Sequence, residues 1–275
     1  MSNKDARNGF NDVDRTGNAE RYVRCLDTQY QDDQTLVRQK NKVLTLLDVQ
    51  KGHYVLDAGC GTGVDAFKMA ECVGHKGRIV GIDSSQKMVE VASKRSQNTN
   101  MPIEFKQASI YELPFKDRFF DRSRSDKTFQ HLTNPQSALS ELIRVTKRGG
   151  QIVVSDPDHD SLIIDTPFTD INNRFIQFRS QQMVQGSIGH QLYRMFKEAG
   201  LVNVQVVPLT AVYTNYEEKK ASAPYLDEIW YANKMNVVTE AEAQKWSDYL
   251  RQAIENGRFL CLQTYMVTIG TIPSS

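Results

Sequence analysis

The sequence predicts an α/β fold built on a parallel sheet, and three observations support that prediction. Strand-like and helix-like segments alternate through the middle of the chain, as they do when crossover helices connect parallel strands. One apolar strand runs directly into a glycine-rich turn that opens a helix, in the segment VLDAGCGTG at residues 55–63. With 275 residues, 40% of them hydrophobic, the chain is long enough for one main domain with an appendage.

The first half of this domain follows from the spacing of its apolar residues and from its capping residues. Gly74 is well placed to end the helix that follows the glycine turn. The predicted segments are a helix over 36–47, a strand over 54–59, a helix over 64–73, a strand over 78–83, a helix capped by Ser84 or Ser85, and a strand over 103–109.

The next strand is the most polar one. Residues 121–126, DRSRSD, place Arg122 and Arg124 where a central strand should be apolar. At strand spacing the two arginines share one face, and we interpret them as an exposed pair at an edge. A helix that has Pro135 in its first turn follows and ends at Gly149, and a strand over 151–156 comes next.

The remaining chain divides into longer segments. Helices are predicted over 168–184 and 187–199, and strands over 202–213 and 259–271. Between those two strands lies a helical stretch of mixed charge, which we interpret as an insertion that forms a lid. The predicted organisation is an N-terminal helical lid segment (1–35), a ligand-binding domain (36–214), a helical lid insertion (215–257) and the final strand of the domain (258–275).

Charge and cysteine usage narrow the possible partners. Lys and Arg (34) nearly balance Asp and Glu (33), so no overall field draws the chain to nucleic acid or to an anionic membrane. The four cysteines show no metal-type spacing, and no apolar run approaches the length of a membrane-spanning helix. These features favour a cytoplasmic protein that binds a small molecule, with no nucleic acid and no membrane insertion.

The glycine turn predicts a ligand site, because bare backbone beside a helix N-terminus allows close approach. Asp57 stands just before the turn, where it would repel a pyrophosphate and attract a cation. Asp83 ends the second strand, where a carboxylate can accept both hydroxyls of a ribose. A nucleoside ligand that carries positive charge suggests S-adenosylmethionine (SAM) rather than NAD. As an alternative, the glycines could serve only the tight packing of the strand against the helix.

These motifs resemble the class I SAM-dependent methyltransferases, within the small-molecule group of ubiquinone, menaquinone and sterol-type enzymes. The resemblance covers residues 40–160 well and the remainder loosely. It implies a Rossmann-like, doubly wound sheet of seven strands, six parallel and one antiparallel, with SAM over the strand ends and S-adenosylhomocysteine (SAH) as product. The matching segments are VLDAGCGTG, VGIDSSQKMVEVA, ASIYELPFKDRFFD and LSELIRVTKRGGQIVVSDPD.

The same resemblance assigns cofactor residues. It implies that Asp57 orders the ammonium group of SAM and that Asp83 holds the ribose. Ser109 stands where the family usually has an aspartate, so its hydrogen bond to the adenine amino group would be weaker. The full set implied is Asp57, Gly59, Gly61, Asp83, Ser84, Met88, Ala108, Ser109, Ile110 and Ser125.

Transfer to a hydroxyl or an unactivated carbon needs a base, and histidine is the usual choice. His131 and His159 follow the fourth and fifth strands, so both are candidate catalytic residues. Asp158 and Asp160 flank His159 and could orient it. Each histidine also has a non-catalytic alternative: His131 could pack against the core, and His159 could lie in a solvated acidic loop. The cluster lacks further ligands of a metal site, so no metal is predicted.

The acceptor pocket is expected to lie between the N-terminal segment and the insertion. Four aromatic residues could form its apolar walls, or could simply pack helix against helix: Tyr22, Tyr30, Trp230 and Tyr231. The predicted function is methylation of a small, hydrophobic metabolite at oxygen, carbon or nitrogen. An NAD-dependent oxidoreductase, a SAM-binding cyclase and a regulatory scaffold remain alternatives.

Overall fold

The computed structural model describes residues 10, 12–97, 99–220 and 222–274, and its strands form one mixed sheet. The order is β3-β2-β1-β4-β5-β8-β7, in which β8 alone runs antiparallel to its neighbours and the two-residue β6 pairs with the start of β8. The strands are β1 (Tyr54–Ala58), β2 (Arg78–Asp83), β3 (Ile103–Gln107), β4 (Phe120–Asp126), β5 (Thr146–Pro157), β6 (Ile163–Ile164), β7 (Val202–Tyr213) and β8 (Cys261–Thr271). Six parallel long strands and one antiparallel strand confirm the predicted fold class.

Helices connect these strands and precede them. The helices are α1 (Ala19–Asp32), α2 (Gln34–Leu46), α3 (Val64–Val73), α4 (Gln86–Ser96), α5 (Pro135–Val145), α6 (Thr169–Gln181), α7 (Ile188–Glu198), α8 (Tyr216–Lys220), α9 (Tyr225–Lys234) and α10 (Glu240–Glu255). Gly74 ends α3 and Ser85 caps α4, as predicted. Within the described residues, no helix combines the length and the apolar character needed to cross a bilayer.

Two hydrophobic layers cover the sheet. On one face, α2 and α3 pack Val43 and Met69 over strand residues such as Val55. On the other face, α5 and α7 bury a larger cluster that includes Leu139 and Phe196. A separate core joins α6, α9 and α10 around Trp246, beside the ends of β7 and β8. The helical insertion is therefore packed as a small body of its own at one end of the sheet.

The prediction that Arg122 and Arg124 lie exposed at an edge is wrong. β4 is a central strand between β1 and β5, and Arg124 pairs in register with Asp57 of β1. Arg124 is only 1% exposed, and Arg122 is partly buried on the same face. A central strand tolerates Arg124 because carboxylates on neighbouring elements surround it.

Candidate active site

A cavity of about 200 Å³ opens at the carboxyl ends of β1, β2 and β4. The strand order reverses between β1 and β4, and this switch point is where ligands bind in open α/β sheets. Most of the residues predicted to bind the cofactor line this cavity: Asp57, Gly59, Gly61, Asp83, Ser84, Met88, Ala108 and Ile110. We call it the cofactor cavity.

The glycine turn lets a ligand approach closely but offers few free backbone donors. Gly59 has φ of 80°, and a Cβ built on it would collide with Oγ1 of Thr128. The N–H groups of Gly59 and Cys60 both donate to the carbonyl of Ile82, and that of Gly61 donates to Asp83. Because an anion would need those donors, the turn favours a cationic ligand over a phosphate.

Asp83 ends β2 with its carboxylate fixed by two backbone hydrogen bonds. Oδ2 accepts from Gly61 N at 2.9 Å, and Oδ1 accepts from Ser85 N at 2.9 Å. Burial raises the pKa of Asp83, and these two hydrogen bonds oppose that shift. An ionised carboxylate has about four lone-pair positions, so the fixed group retains acceptor capacity for ligand hydroxyls.

A buried group of charged side chains forms the wall of the cavity below Asp57. Arg124 donates to Asp57 at 2.9 Å and to Asp65 at 2.6 Å, and it lies 3.2 Å from Asp126. Lys40 of α2 pairs with Asp65 and with Asp126. Three carboxylates against two cations leave this charge cluster with a formal net charge of −1, which a singly cationic ligand would balance.

The described part of the N-terminal segment lies over the cofactor cavity. Asp14 accepts from Gln86 N at 2.7 Å and from Ser85 Oγ at 2.7 Å, so it holds the start of α4. Val13 and Tyr30 line the cavity, and the hydroxyl of Tyr30 bonds to Asp65. The segment therefore forms part of the cavity wall, and its action as a lid stays a prediction; residues 1–9 and 11 lie outside the described residues.

A second cavity, of about 310 Å³, adjoins the first. Its walls come from α1, from α6 and from the inserted segment that contains α8 and α9, and it includes Tyr22, Met183 and Tyr265. Four residues line both cavities: Phe10, Gln29, Lys127 and His131. A ligand in the second cavity would thus meet the cofactor cavity across these four residues, and we call it the acceptor cavity.

A model of the methyltransferase domain family matches residues 49–200, which is more than half of the chain. The chain belongs to the class I SAM-dependent methyltransferases. The matched range holds the glycine turn, Asp83, and the strands from β2 to β5, so it contains most of the cofactor cavity. This membership decides against the NAD-dependent oxidoreductase considered from the sequence.

The methyltransferase has relatives at moderate identity. An uncharacterized 37.1 kDa protein in transposon TN4556 of Streptomyces fradiae is 35% identical over 244 residues, 84% of this chain and 66% of that protein. The demethylmenaquinone methyltransferase of Bacillus licheniformis is 30% identical over 186 residues, 62% of this chain and 80% of that enzyme. The solved YcgJ protein from Bacillus subtilis is 20% identical, with a TM-score of 0.58 over 86% of this chain and 99% of that one, which shows the fold.

The residues present fit SAM. A Cβ on Gly59 would displace Thr128, which lines the same cavity, and Asp83 offers a fixed carboxylate at the ribose position expected for this family. Asp57 and the charge cluster suit a ligand that carries a sulfonium and an ammonium group against one carboxylate. The charge of this cavity therefore suits SAM, and the binding of SAM at these residues stays a prediction.

SAM affinity should depend on pH through Asp57. Burial raises the pKa of Asp57 to about 6, although Arg124 pulls it down. Below that pKa the group is protonated and no longer attracts a cation, so SAM binding should weaken about tenfold between about pH 7.5 and pH 5. Calorimetric titration across this range checks the prediction, with Asp57→Asn as the control; an equally steep profile in that variant would assign the dependence to another group.

Replacing Gly59 by alanine should cost more free energy than the strain of its left-handed backbone alone. A left-handed alanine costs about 1–2 kcal/mol, and the contact with Thr128 adds to that cost. Gly200 has φ of 81° with open space around it, so Gly200→Ala carries only the backbone cost. Denaturant unfolding and SAM titration should show a larger loss of both stability and affinity for Gly59→Ala; equal losses in the two variants would contradict the close-approach role.

Asp83→Asn should weaken SAM binding by about 1.5–3 kcal/mol, because a charge-assisted acceptor becomes neutral and one amide nitrogen faces an N–H donor. Asp121→Asn is the matched control, since Asp121 accepts from Tyr54 N at 2.8 Å at the opposite end of the sheet. Calorimetric titration of both variants with SAM shows whether the loss of affinity is specific to Asp83. Unchanged SAM affinity in Asp83→Asn would place the nucleoside elsewhere.

Several predicted site residues lie away from the cavities. Ser109 is exposed and accepts from Tyr111 N in a turn, so it does not line the cofactor cavity. Ser125 is buried and donates to the carbonyl of Ala58, because it alternates with Arg124 and faces the other side of β4. Trp230 and Tyr231 pack against the core of the helical insertion and line neither cavity.

The two candidate catalytic histidines differ in environment. His131 lines both cavities, and burial with the nearby Lys127 lowers its pKa to about 4. His159 lines the acceptor cavity, with Nε2 2.9 Å from Oε1 of Gln130 and Nδ1 3.4 Å from Nε2 of Gln263. The glutamines therefore orient this ring, a role that the sequence had suggested for the flanking aspartates.

Those aspartates bind other side chains. Asp158 pairs with His190 at 2.7 Å, and Asp160 accepts from Ser187 at 2.6 Å. Oxygen and nitrogen atoms of Asp158, Asp160 and His190 lie within 4.8 Å of one another, a grouping that could hold a cation. Because each of these three side chains already has a hydrogen-bond partner in the protein, those hydrogen bonds account for their positions without a bound cation.

Sequence reasoning missed the charged wall of the cofactor cavity. Lys40, Asp65 and Asp126 were not predicted as site residues, and Arg124 was noticed but interpreted as exposed. The available signal was an arginine in the interior of an otherwise predictable strand, since a buried charge must have partners. Of its partners, Asp126 lies two residues away on β4, but Asp57 and Asp65 lie on β1 and α3, so the sequence around Arg124 does not identify those two.

Proposed function

We propose that this methyltransferase transfers the methyl group of SAM to a small metabolite with a hydrophobic body, held in the acceptor cavity. The observation that supports this most is the contact between two cavities, one with the charge that suits a cationic nucleoside and the other with apolar side chains over part of its wall. Tyr22, Met183 and Tyr265 supply apolar surface there, together with Phe10 at the junction. The acceptor would lie between the N-terminal segment and the insertion.

The protein contributes mainly position and exclusion of water. Bound SAM supplies an electrophilic methyl group on a sulfonium, and transfer is an in-line displacement that requires close alignment. Asp57 and Asp83 would fix the two polar ends of the cofactor, while Val13 and Tyr30 close the cavity over it. A nucleophile in the acceptor cavity would approach past His131 and Lys127 at the junction.

His159 is the better candidate for the base. Its ring lines the acceptor cavity and is held by Gln130 and Gln263. His131 stands nearer the cofactor, but its low pKa makes it a weak base and keeps it neutral beside a sulfonium. We therefore assign proton removal to His159 and an uncharged packing role to His131.

Methyl-labelled SAM incubated with the protein and fractionated small-molecule pools tests this function. Label is expected in a low-molecular-weight product, in fractions that partition into organic solvent. Label confined to protein or nucleic acid would contradict the proposal, and so would the absence of any transfer by protein that binds SAM. Because the Bacillus licheniformis relative is a demethylmenaquinone methyltransferase, one of the pools should contain quinol-type compounds.

A further inference from the structure

The acceptor cavity is far more basic than the chain as a whole. The protein carries a formal net charge of +1. Among the described residues, five cationic side chains line this cavity against one carboxylate, that of Glu228: Arg21, Lys127, Arg179, Lys219 and Lys220. Such an excess is unexpected in a pocket that holds only an apolar ligand.

Lys219 is the most informative of these cations. It is 3% exposed, yet its ammonium group forms no ion pair or hydrogen bond with any described residue. It lies over the ring of Tyr213 at 4.6 Å, and the nearby Asp33 accepts instead from Leu36 N and from the hydroxyl of Tyr213. Burying a cation without a partner costs free energy, so its retention indicates a partner that arrives with a ligand.

Arg179 of α6 gives a second, independent observation. Its Nε donates to Glu228 at 2.6 Å, but Nη1 is buried and has no hydrogen-bond partner among the described residues. Lys127 likewise donates to the neutral Gln29 at 2.9 Å and forms no ion pair with a described carboxylate. Three cations with unused donors therefore line one cavity.

The cofactor's own carboxylate does not account for this excess. Lys219 and Arg179 line only the acceptor cavity, whereas the cofactor cavity has Lys40 and Arg124 in its wall. Lys127 lies at the junction and could serve either ligand. The anion that satisfies Lys219 and Arg179 must belong to the acceptor.

We propose that the methyl acceptor carries an anionic group, a carboxylate or a phosphate, that binds Lys219 and Arg179 at the end of its hydrophobic body. This inference rests on the proposed function, since it assigns the anion to the substrate of that same cavity. The acceptor is then amphipathic: the apolar part lies along Tyr22 and Met183, and the charged end anchors it in one orientation.

Small aromatic probes test the inference on the whole protein saturated with SAH. Ligand-observed NMR titrations compare benzoate and phenyl phosphate with neutral benzamide. One or both anions should bind at least about tenfold more tightly than benzamide, the gain expected from one charge-assisted hydrogen bond in a buried site. Preference for benzoate indicates a carboxylate acceptor, and preference for phenyl phosphate indicates a phosphorylated one.

Lys219→Met should remove most of that preference and should not lower the thermal midpoint of the free protein, because it deletes a buried, unpaired cation. Lys234→Met is the matched control, since Lys234 is exposed and lines neither cavity, and it should change the preference less than about twofold. The inference is overturned if the anions bind no more tightly than benzamide, or if Lys219→Met keeps the preference. The labelling experiment with methyl-labelled SAM separates this from failure of the proposed function, which would appear as label confined to protein or nucleic acid, or as no transfer at all.

Discussion

Arg124→Met is expected to lower the free energy of unfolding by about 3–5 kcal/mol, the cost of breaking a buried ion pair from one side. Arg124 is 1% exposed and lies between Asp57, Asp65 and Asp126. Without it, three buried carboxylates would have Lys40 as their only described cationic partner. Urea unfolding at neutral pH measures the loss.

Arg122→Met is the matched control for that variant. Arg122 lies two residues away on the same face of β4, but it is partly exposed and donates to the carbonyls of Leu47 and Asp121. Its loss should cost about 1 kcal/mol. The loss in free energy of unfolding caused by Arg124→Met should also be smaller at acidic pH, because protonation of the unpaired carboxylates removes their mutual repulsion. Equal destabilisation of the two variants, or a defect independent of pH, would contradict a charge-compensating role.

His159→Ala is expected to slow methyl transfer by about 10²-fold or more at saturating SAM, the usual contribution of a positioned base. The affinity for SAM should not change, because His159 lines the acceptor cavity and not the cofactor cavity. The measurement is the initial rate of label incorporation into the product found with methyl-labelled SAM. Added imidazole should restore part of the rate by occupying the space that the side chain leaves.

His190→Gln serves as the control for the histidine test. His190 pairs with Asp158 and is half exposed, outside both cavities, so its loss should leave the transfer rate within about twofold of the wild type. Rates that fall equally in both variants, or a His159→Ala enzyme that imidazole does not rescue, would mean that His159 acts structurally.

Local patterns in the sequence were sufficient to predict most of the sheet. Strands β1 and β2 are apolar runs with an acid at or next to their last residue, Gly63 and Gly74 flank α3, and Ser85 caps the start of α4. The same local patterns selected Asp57, Gly59 and Asp83, and these three residues line one cavity because strand ends in a parallel sheet meet at one edge. These residues needed no knowledge of distant contacts.

The errors arose where distant contacts decide the environment. Arg124 looked exposed because its carboxylate partners Asp57 and Asp65 are 67 and 59 residues away in the chain. The cofactor roles of Ser109 and Ser125 stay predictions from family position, while a turn directs Ser109 to solvent and strand alternation directs Ser125 to the face of β4 opposite Arg124. The basic character of the acceptor cavity was not predicted either, because Arg179 and Lys219 come from separate helices.

The central claim is that the cavity beside the glycine turn is built for SAM, and calorimetric titration with SAM, SAH and NAD tests it most directly. We expect SAM and SAH to bind with a stoichiometry of one per chain, because one cavity holds both Asp57 and Asp83. NAD should not bind detectably, since three consecutive N–H groups of the turn already have protein acceptors. Binding of NAD without binding of SAM would contradict the account.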